Sequence, residues 1–139
     1  MRIDGRCLCG SVTYEAEIDP AKVLICHCSD CQNHSGSAWR VVVGARADSF
    51  RLLSGELRHF EKIADSGRLR SRSFCPVCGT NIYACTPGDD RQFFGLRVGT
   101  VNQRKALRPS SQLWLRSALP WSCNISDLPG VERQLDLTR

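Results

Sequence analysis

The sequence predicts a mostly-β fold built from short strands. Three observations carry that prediction. Apolar and polar residues alternate with a period of two, turn-forming residues recur at short intervals, and no stretch sustains the helical period of about 3.6 residues. Hydrophobic residues make up 42% of the 139-residue chain and charged residues 24%. That composition belongs to a globular protein and is enough for one core, so a single domain over residues 1–139 is expected.

The elements follow in order. Val12, Tyr14, Ala16 and Ile18 alternate with Thr13, Glu15 and Glu17, the pattern of a half-buried strand. Trp39 to Val43, Arg51 to Leu53, Leu57 to Phe60, Leu69 to Phe74, Asn81 to Ala84 and Gln92 to Val98 are the next strand candidates. Turn signals separate them: Asp19-Pro20, Ser54-Gly55, Asp65-Ser66-Gly67 and Pro87-Gly88-Asp89-Asp90. Helix is expected only for a turn or two after Cys28 and near Asn102 to Ala106.

Two function classes are set aside by what the chain lacks. No apolar run approaches the roughly 18 residues of a membrane span, and Met1 to Gly5 has no apolar core of a secretory signal. The expected location is the cytoplasm. There the 9 cysteines are read as reduced thiols, since the count is odd and the compartment reducing.

Their spacing assigns them to metal. In Cys7-Leu8-Cys9 the two sulfurs share one side of an extended segment, and Cys75-Pro76-Val77-Cys78-Gly79 is a knuckle whose tight turn presents both sulfurs to one ion. Together they make a closed four-thiolate zinc site, of a kind that stabilises small peptides by on the order of 10–16 kcal/mol. Cys26, Cys28 and Cys31 offer three more thiols, the number found in catalytic zinc sites with a vacant position. Cys85, Cys123, His27, His34 or Asp30 could instead close that second site. His27, between two ligands, should point away from the metal, whereas His34 lies three residues past Cys31. The formal net charge of +5 falls to about +2 once seven thiolates and two zinc ions are counted, which weakens any argument from basicity to nucleic acid.

Gly5-Arg6-Cys7-Leu8-Cys9-Gly10-Ser11-Val12, Cys26-His27-Cys28-Ser29-Asp30-Cys31-Gln32 and Ser73-Phe74-Cys75-Pro76-Val77-Cys78-Gly79-Thr80 resemble the three signatures of the glutathione-dependent formaldehyde-activating enzyme family. That family also takes in centromere protein V. The tail from Leu113-Trp114-Leu115 through Pro120-Trp121 to Asp127-Leu128-Pro129-Gly130 is similar to the family's C-terminal pattern. The resemblance implies several short coiled antiparallel sheets stapled by a structural zinc, similar to zinc-bearing methionine-R-sulfoxide reductases. It implies a structural zinc on Cys7, Cys9, Cys75 and Cys78 and a catalytic zinc on Cys26, Cys28 and Cys31, with Cys85 and Cys123 as bystanders. The activity implied is that of a carbon–sulfur lyase acting on a thiol–aldehyde adduct such as S-hydroxymethylglutathione. Its partners would be glutathione or a similar thiol and an aldehyde.

For substrate contacts the reading favours Gln32, Asn33, His34 and Ser35; His34 is a candidate general base, but the favoured reading of it is an exposed loop histidine. Arg68, Arg70 and Arg72 alternate along a strand and are read as a solvated face rather than as carboxylate ligands. Trp39, Trp114 and Trp121 are read as core. The rival class is a non-catalytic zinc module that binds glutathione or nucleic acid. The arginines are dispersed from Arg2 to Arg139 with no lysine run and no basic helix, so nucleic acid is not an expected partner.

Overall fold

A computed structural model describes residues 1–88 and 91–134 of the chain. Asp89-Asp90 of the fourth turn signal and Arg139 lie outside the described residues. The nine strands found among those described are β1 (Arg2–Arg6), β2 (Thr13–Cys26), β3 (Arg40–Arg46), β4 (Arg51–Ser54), β5 (Arg58–Ile63), β6 (Leu69–Phe74), β7 (Asn81–Cys85), β8 (Phe93–Arg97) and β9 (Ser111–Leu113). One short helix, α1 (Ser29–Ser35), follows β2, and 3-10 turns include Arg104–Ala106, in the segment where helix is expected.

The strands pair in the order β1-β2-β3-β8-β7-β6-β5, with β4 and β9 both added to β2. Every pairing is antiparallel except that of β9 with β2. Strand β2 is long because Asp19-Pro20 does not end it. The register slips between Ile18 and Val23, so the expected turn is a bulge that bends one strand between two partner sets. Its first half pairs with β1 and β4, and its second half with β3 and β9. Beyond β8 the chain returns to β1 through a bridge between Gly5 and Val101 and a hydrogen bond from Asn102 N to Asp4 O at 2.9 Å. The strip β1-β2-β3-β8 is thereby closed on itself.

Side-chain alternation then sorts the residues onto two faces. Val43, Leu96, Tyr83 and Ser73 stand opposite one another across β3, β8, β7 and β6, and all four are buried. Phe50 joins this core against Tyr14, Tyr83 and Phe94, with ring centroids 4.6–5.6 Å apart. The opposite face carries Gly44, Gly95, Ala84 and Arg72 in one cross-strand row. Three small residues in register leave that face hollow.

Candidate metal and ligand site

The two cysteine clusters form at opposite kinds of chain turn. The loop from β1 to β2 folds through Cys7 N–H to Val12 O at 3.0 Å and Gly10 N–H to Cys7 O at 3.1 Å, with Gly10 at φ 81°. The loop from β6 to β7 folds through Gly79 N–H to Cys75 O and Cys75 N–H to Thr80 O, both 2.9 Å, with Gly79 at φ 73°. Both glycines hold left-handed conformations that a side chain would strain. The loops meet where Leu8 N–H donates to Thr80 Oγ1 at 3.0 Å. The sulfurs of Cys7, Cys9, Cys75 and Cys78 consequently lie within 4.8 Å of one another. Cys7 and Cys9 are 3.5 Å apart, and Cys9 and Cys75 3.9 Å. Four sulfurs around a tetrahedral zinc stand about 3.8 Å apart, so the donor set fits that ion in kind and in spacing. The thiolate form is favoured locally as well. The Thr80 hydroxyl, 3.1 Å from Cys78 Sγ, and the backbone amides of Cys9 and Thr80 bring that thiol down to about 5.

The second cluster is built where β2 gives way to α1. Cys26 ends the strand, Cys28 caps the helix by accepting the Cys31 N–H at 3.4 Å, and Cys31 sits in the first turn. Their three sulfurs also lie within 4.8 Å of one another and could hold a metal ion. The contact with Cys31 draws the Cys26 thiol below its ordinary value and pushes that of Cys31 up, while burial raises Cys28. A group of three thiols sharing protons so unequally is a site where one cation would replace several protons. Cys85, His27, His34, Asp30 and Cys123 belong to neither group among the described residues.

His27 points away, as expected. It is buried on the other side of β2, with Nε2 2.8 Å from Gln112 Oε1. Gln32 is not a ligand-facing residue: its amide nitrogen donates to His27 O at 2.7 Å and to Ser117 O at 2.8 Å, tying α1 to the C-terminal segment. Ser35 closes the helix through Cys31 O at 2.6 Å. His34 receives Arg40 Nη2 on Nδ1 at 3.2 Å, and burial with the nearby arginine charges brings it down to about 4. It is thus a neutral ring whose acceptor lone pair is already used, which removes it as the general base.

The hollow beside Cys26, Cys28 and Cys31 has a volume of about 280 Å³ and is lined by residues that the reading of the sequence placed elsewhere. Arg70 and Arg72 of β6 enter it rather than water; Arg72 is only 8% exposed. Arg97 of β8, also 8% exposed, joins them. The solvated-face reading fails because β6 is an inner strand, so its even-numbered residues turn into the curve of the sheet; Arg68, before the strand, is the exposed one. Trp114 is not core either. It forms part of the hollow's wall at φ 59°, the one non-glycine residue with positive φ among those described. A bulky residue held there stores strain, as residues at binding sites often do. Arg97 is the residue that reading along the chain missed, and no local motif marks it, whereas Trp114 stands in the quoted Leu113-Trp114-Leu115 pattern and is misplaced as core. Asp30 receives Arg72 Nη2 at 2.8 Å and also pairs with Lys62, and those partners hold its carboxyl below the ordinary range.

The fold and the site define a closed β framework with two cysteine groups that could hold metal ions, one of them beside a hollow. Residues 2–117 match the family model described as glutathione-dependent formaldehyde-activating enzyme, and the chain belongs to that family. It is 31% identical over 91 residues to an uncharacterized lyase of Schizosaccharomyces pombe, a match covering 65% of this chain and 63% of that protein's length. A crystal structure of a Rhodobacter sphaeroides protein shares the fold with a TM-score of 0.60 at 22% identity, covering 78% of this chain and 98% of the other. Among the described residues no helix is long and apolar enough to cross a membrane.

Proposed function

We propose that the chain is a carbon–sulfur lyase-type enzyme, joining a small thiol to an aldehyde carbonyl and cleaving the adduct in reverse, with glutathione and formaldehyde as the first candidates. The observation that carries this reading is the three-sulfur group of Cys26, Cys28 and Cys31 opening onto a hollow of about 280 Å³. Family membership and the lyase named among its relatives support the reaction class. Cys26, Cys28 and Cys31 would hold a zinc ion, which would supply a Lewis acid that favours the thiolate form of a thiol brought to it.

The chain's own residues supply the rest. In the forward direction the sulfur lone pair forms the carbon–sulfur bond, the carbonyl π pair moves to oxygen, and that oxygen takes the proton the thiol gave up. Arg97 and Arg72 face the hollow as fixed cations and stabilise negative charge on sulfur and then on oxygen. Trp114 walls the hollow and displaces water from it. His34, neutral and engaged by Arg40, keeps that guanidinium in place rather than moving a proton. The four-cysteine group acts as a structural staple away from this chemistry. The inward placement of Arg72 and Arg97 also favours a small ligand over the nucleic-acid module, because a phosphate backbone needs its cations on an open face.

The test is turnover. Zinc-loaded protein should accelerate formation of S-hydroxymethylglutathione from glutathione and formaldehyde above the spontaneous rate, and Cys28→Ser should lose that acceleration while keeping its far-UV spectrum. Rates equal to the spontaneous reaction across several thiols and aldehydes would refute the enzyme reading.

A further inference from the structure

The guanidinium groups in and beside the hollow outnumber the carboxylates near them, and apart from those carboxylates Arg40 and Arg97 have the cysteine sulfurs as their favourable charge partners. Arg40, Arg72 and Arg97 are all more than nine-tenths buried, and Arg70 is half-buried beside them. The carboxylates near them are Asp30 and the exposed Asp65, and Asp30 already serves Arg72 and Lys62. Arg70 has Thr86 Oγ1 at 3.0 Å, and Arg40 has the neutral His34. Arg97 makes no side-chain hydrogen bond to any described residue, and its Nε is buried without a partner. Arg72 Nη1 is buried without a partner as well. Buried guanidinium donors left unmatched are costly unless a ligand anion meets them, and a guanidinium fork suits a carboxylate.

We propose that Arg97 and Arg72 form a carboxylate receptor within the hollow, so that the substrate class is the compact thiol carrying a carboxylate a few bonds from its sulfur. This rests on the reading above, in which the thiol sulfur sits at Cys26, Cys28 and Cys31. The dimensions agree. The hollow, about 280 Å³, has room for a sulfur, a short linker and one carboxylate. Because the cysteines and both arginines line one hollow, the unit recognised there is a mercapto-carboxylate. The floor of Ala84 and Gly95 keeps the path between sulfur and arginine clear; a Cβ at Gly95 would stand 3.1 Å from Val42 Cγ1.

Cobalt-substituted protein reads this directly, since sulfur ligation changes the Co(II) absorption. Titration with 3-mercaptopropionate and with its methyl ester compares the same thiol with and without the charge. The acid should bind roughly 30-fold or more tightly than the ester, the scale expected for a buried charge contact. In Arg97→Gln the two affinities should come within about threefold of each other, the acid losing more than the ester. Equal binding of acid and ester to the unaltered protein would overturn the receptor while leaving the thiol site standing, and needs no variant. No spectral change with either compound would overturn the thiol site itself, and the receptor with it.

Discussion

His34 shows how a residue's surroundings, rather than its type, set its chemistry. A histidine three residues after a metal-type cysteine invites a catalytic reading, yet its Nδ1 accepts a hydrogen bond from Arg40 and its proton must therefore sit on Nε2. Burial and the charges of Arg40, Arg97 and Arg72 oppose protonation and hold it at about 4. Its proton NMR signals should thus stay flat from neutral pH down to about pH 5. Arg40→Gln should move the midpoint upward, because one of the opposing charges is gone. Since the folded chain disfavours the charged ring, the unfolded chain binds more protons between about pH 6.5 and 4, and His34 lowers stability as pH falls through that window. A midpoint near 6.5 in the native protein would contradict the contact with Arg40.

Strand β1 illustrates the same dependence one level up. It closes the strip of strands only because Gly5 lets it approach. A Cβ at Gly5 would lie 2.4 Å from Tyr14 Cζ and Oη and 2.6 Å from Thr100 O. Tyr14 is fully buried and donates to Thr100 Oγ1 at 2.7 Å, while Thr100 donates to Arg97 O at 2.8 Å. The close approach therefore reaches, through two hydrogen bonds, the strand end that positions Arg97. Gly5→Ala should destabilise the protein by roughly 2–3 kcal/mol through overpacking, measured as a lower urea midpoint with an unchanged slope. It should also weaken the selectivity for 3-mercaptopropionate over its ester. An alanine variant as stable as the parent would mean that β1 can shift without cost and does not support the site.

For the molecule as a whole, the two cysteine groups should differ in what their loss does. The loops carrying Cys7, Cys9, Cys75 and Cys78 lie far apart in the chain, and their four sulfurs come together where the β1–β2 and β6–β7 turns meet. Cys26, Cys28 and Cys31 fall within one short segment and join nothing distant. Protein purified without chelator should contain two zinc ions per chain by elemental analysis. On the proposed division of roles, Cys75→Ser should aggregate or fail to fold through loss of a ligand from the long-range staple, whereas Cys28→Ser should stay folded with one zinc. Identical thermal melts for the two variants would contradict the division of labour.

Much of this was legible along the chain because the signals are local. Period-two alternation marks strands through backbone geometry alone, so the first half of β2 and, within a residue, β4, β6, β7 and β8 lie where alternation and turn residues put them, while β3 and β5 run on past Val43 and Phe60 to Arg46 and Ile63. The cysteine groups were legible for a similar reason: each of their arms is a short-range motif whose backbone turn presents its sulfurs together. Strands β1 and β9 were not, since each is short and is held by its partners rather than by its own pattern. Nor was the continuation of β2 through Pro20, which depends on a bulge between two partner sets. The hollow lay furthest from view. Arg72, Ala84, Gly95 and Arg97 come from three strands and become one wall only when register sets them side by side on one face. Whether an arginine on β6 meets water or a ligand is decided by which strands flank it and how the sheet curves, and no residue states that on its own. The amino-acid sequence thus determined the strands and the sulfur donors, through forces acting over a few residues. Tertiary structure alone decided what stands opposite those sulfurs, because the charge and space of a cavity belong to the pairing of distant strands.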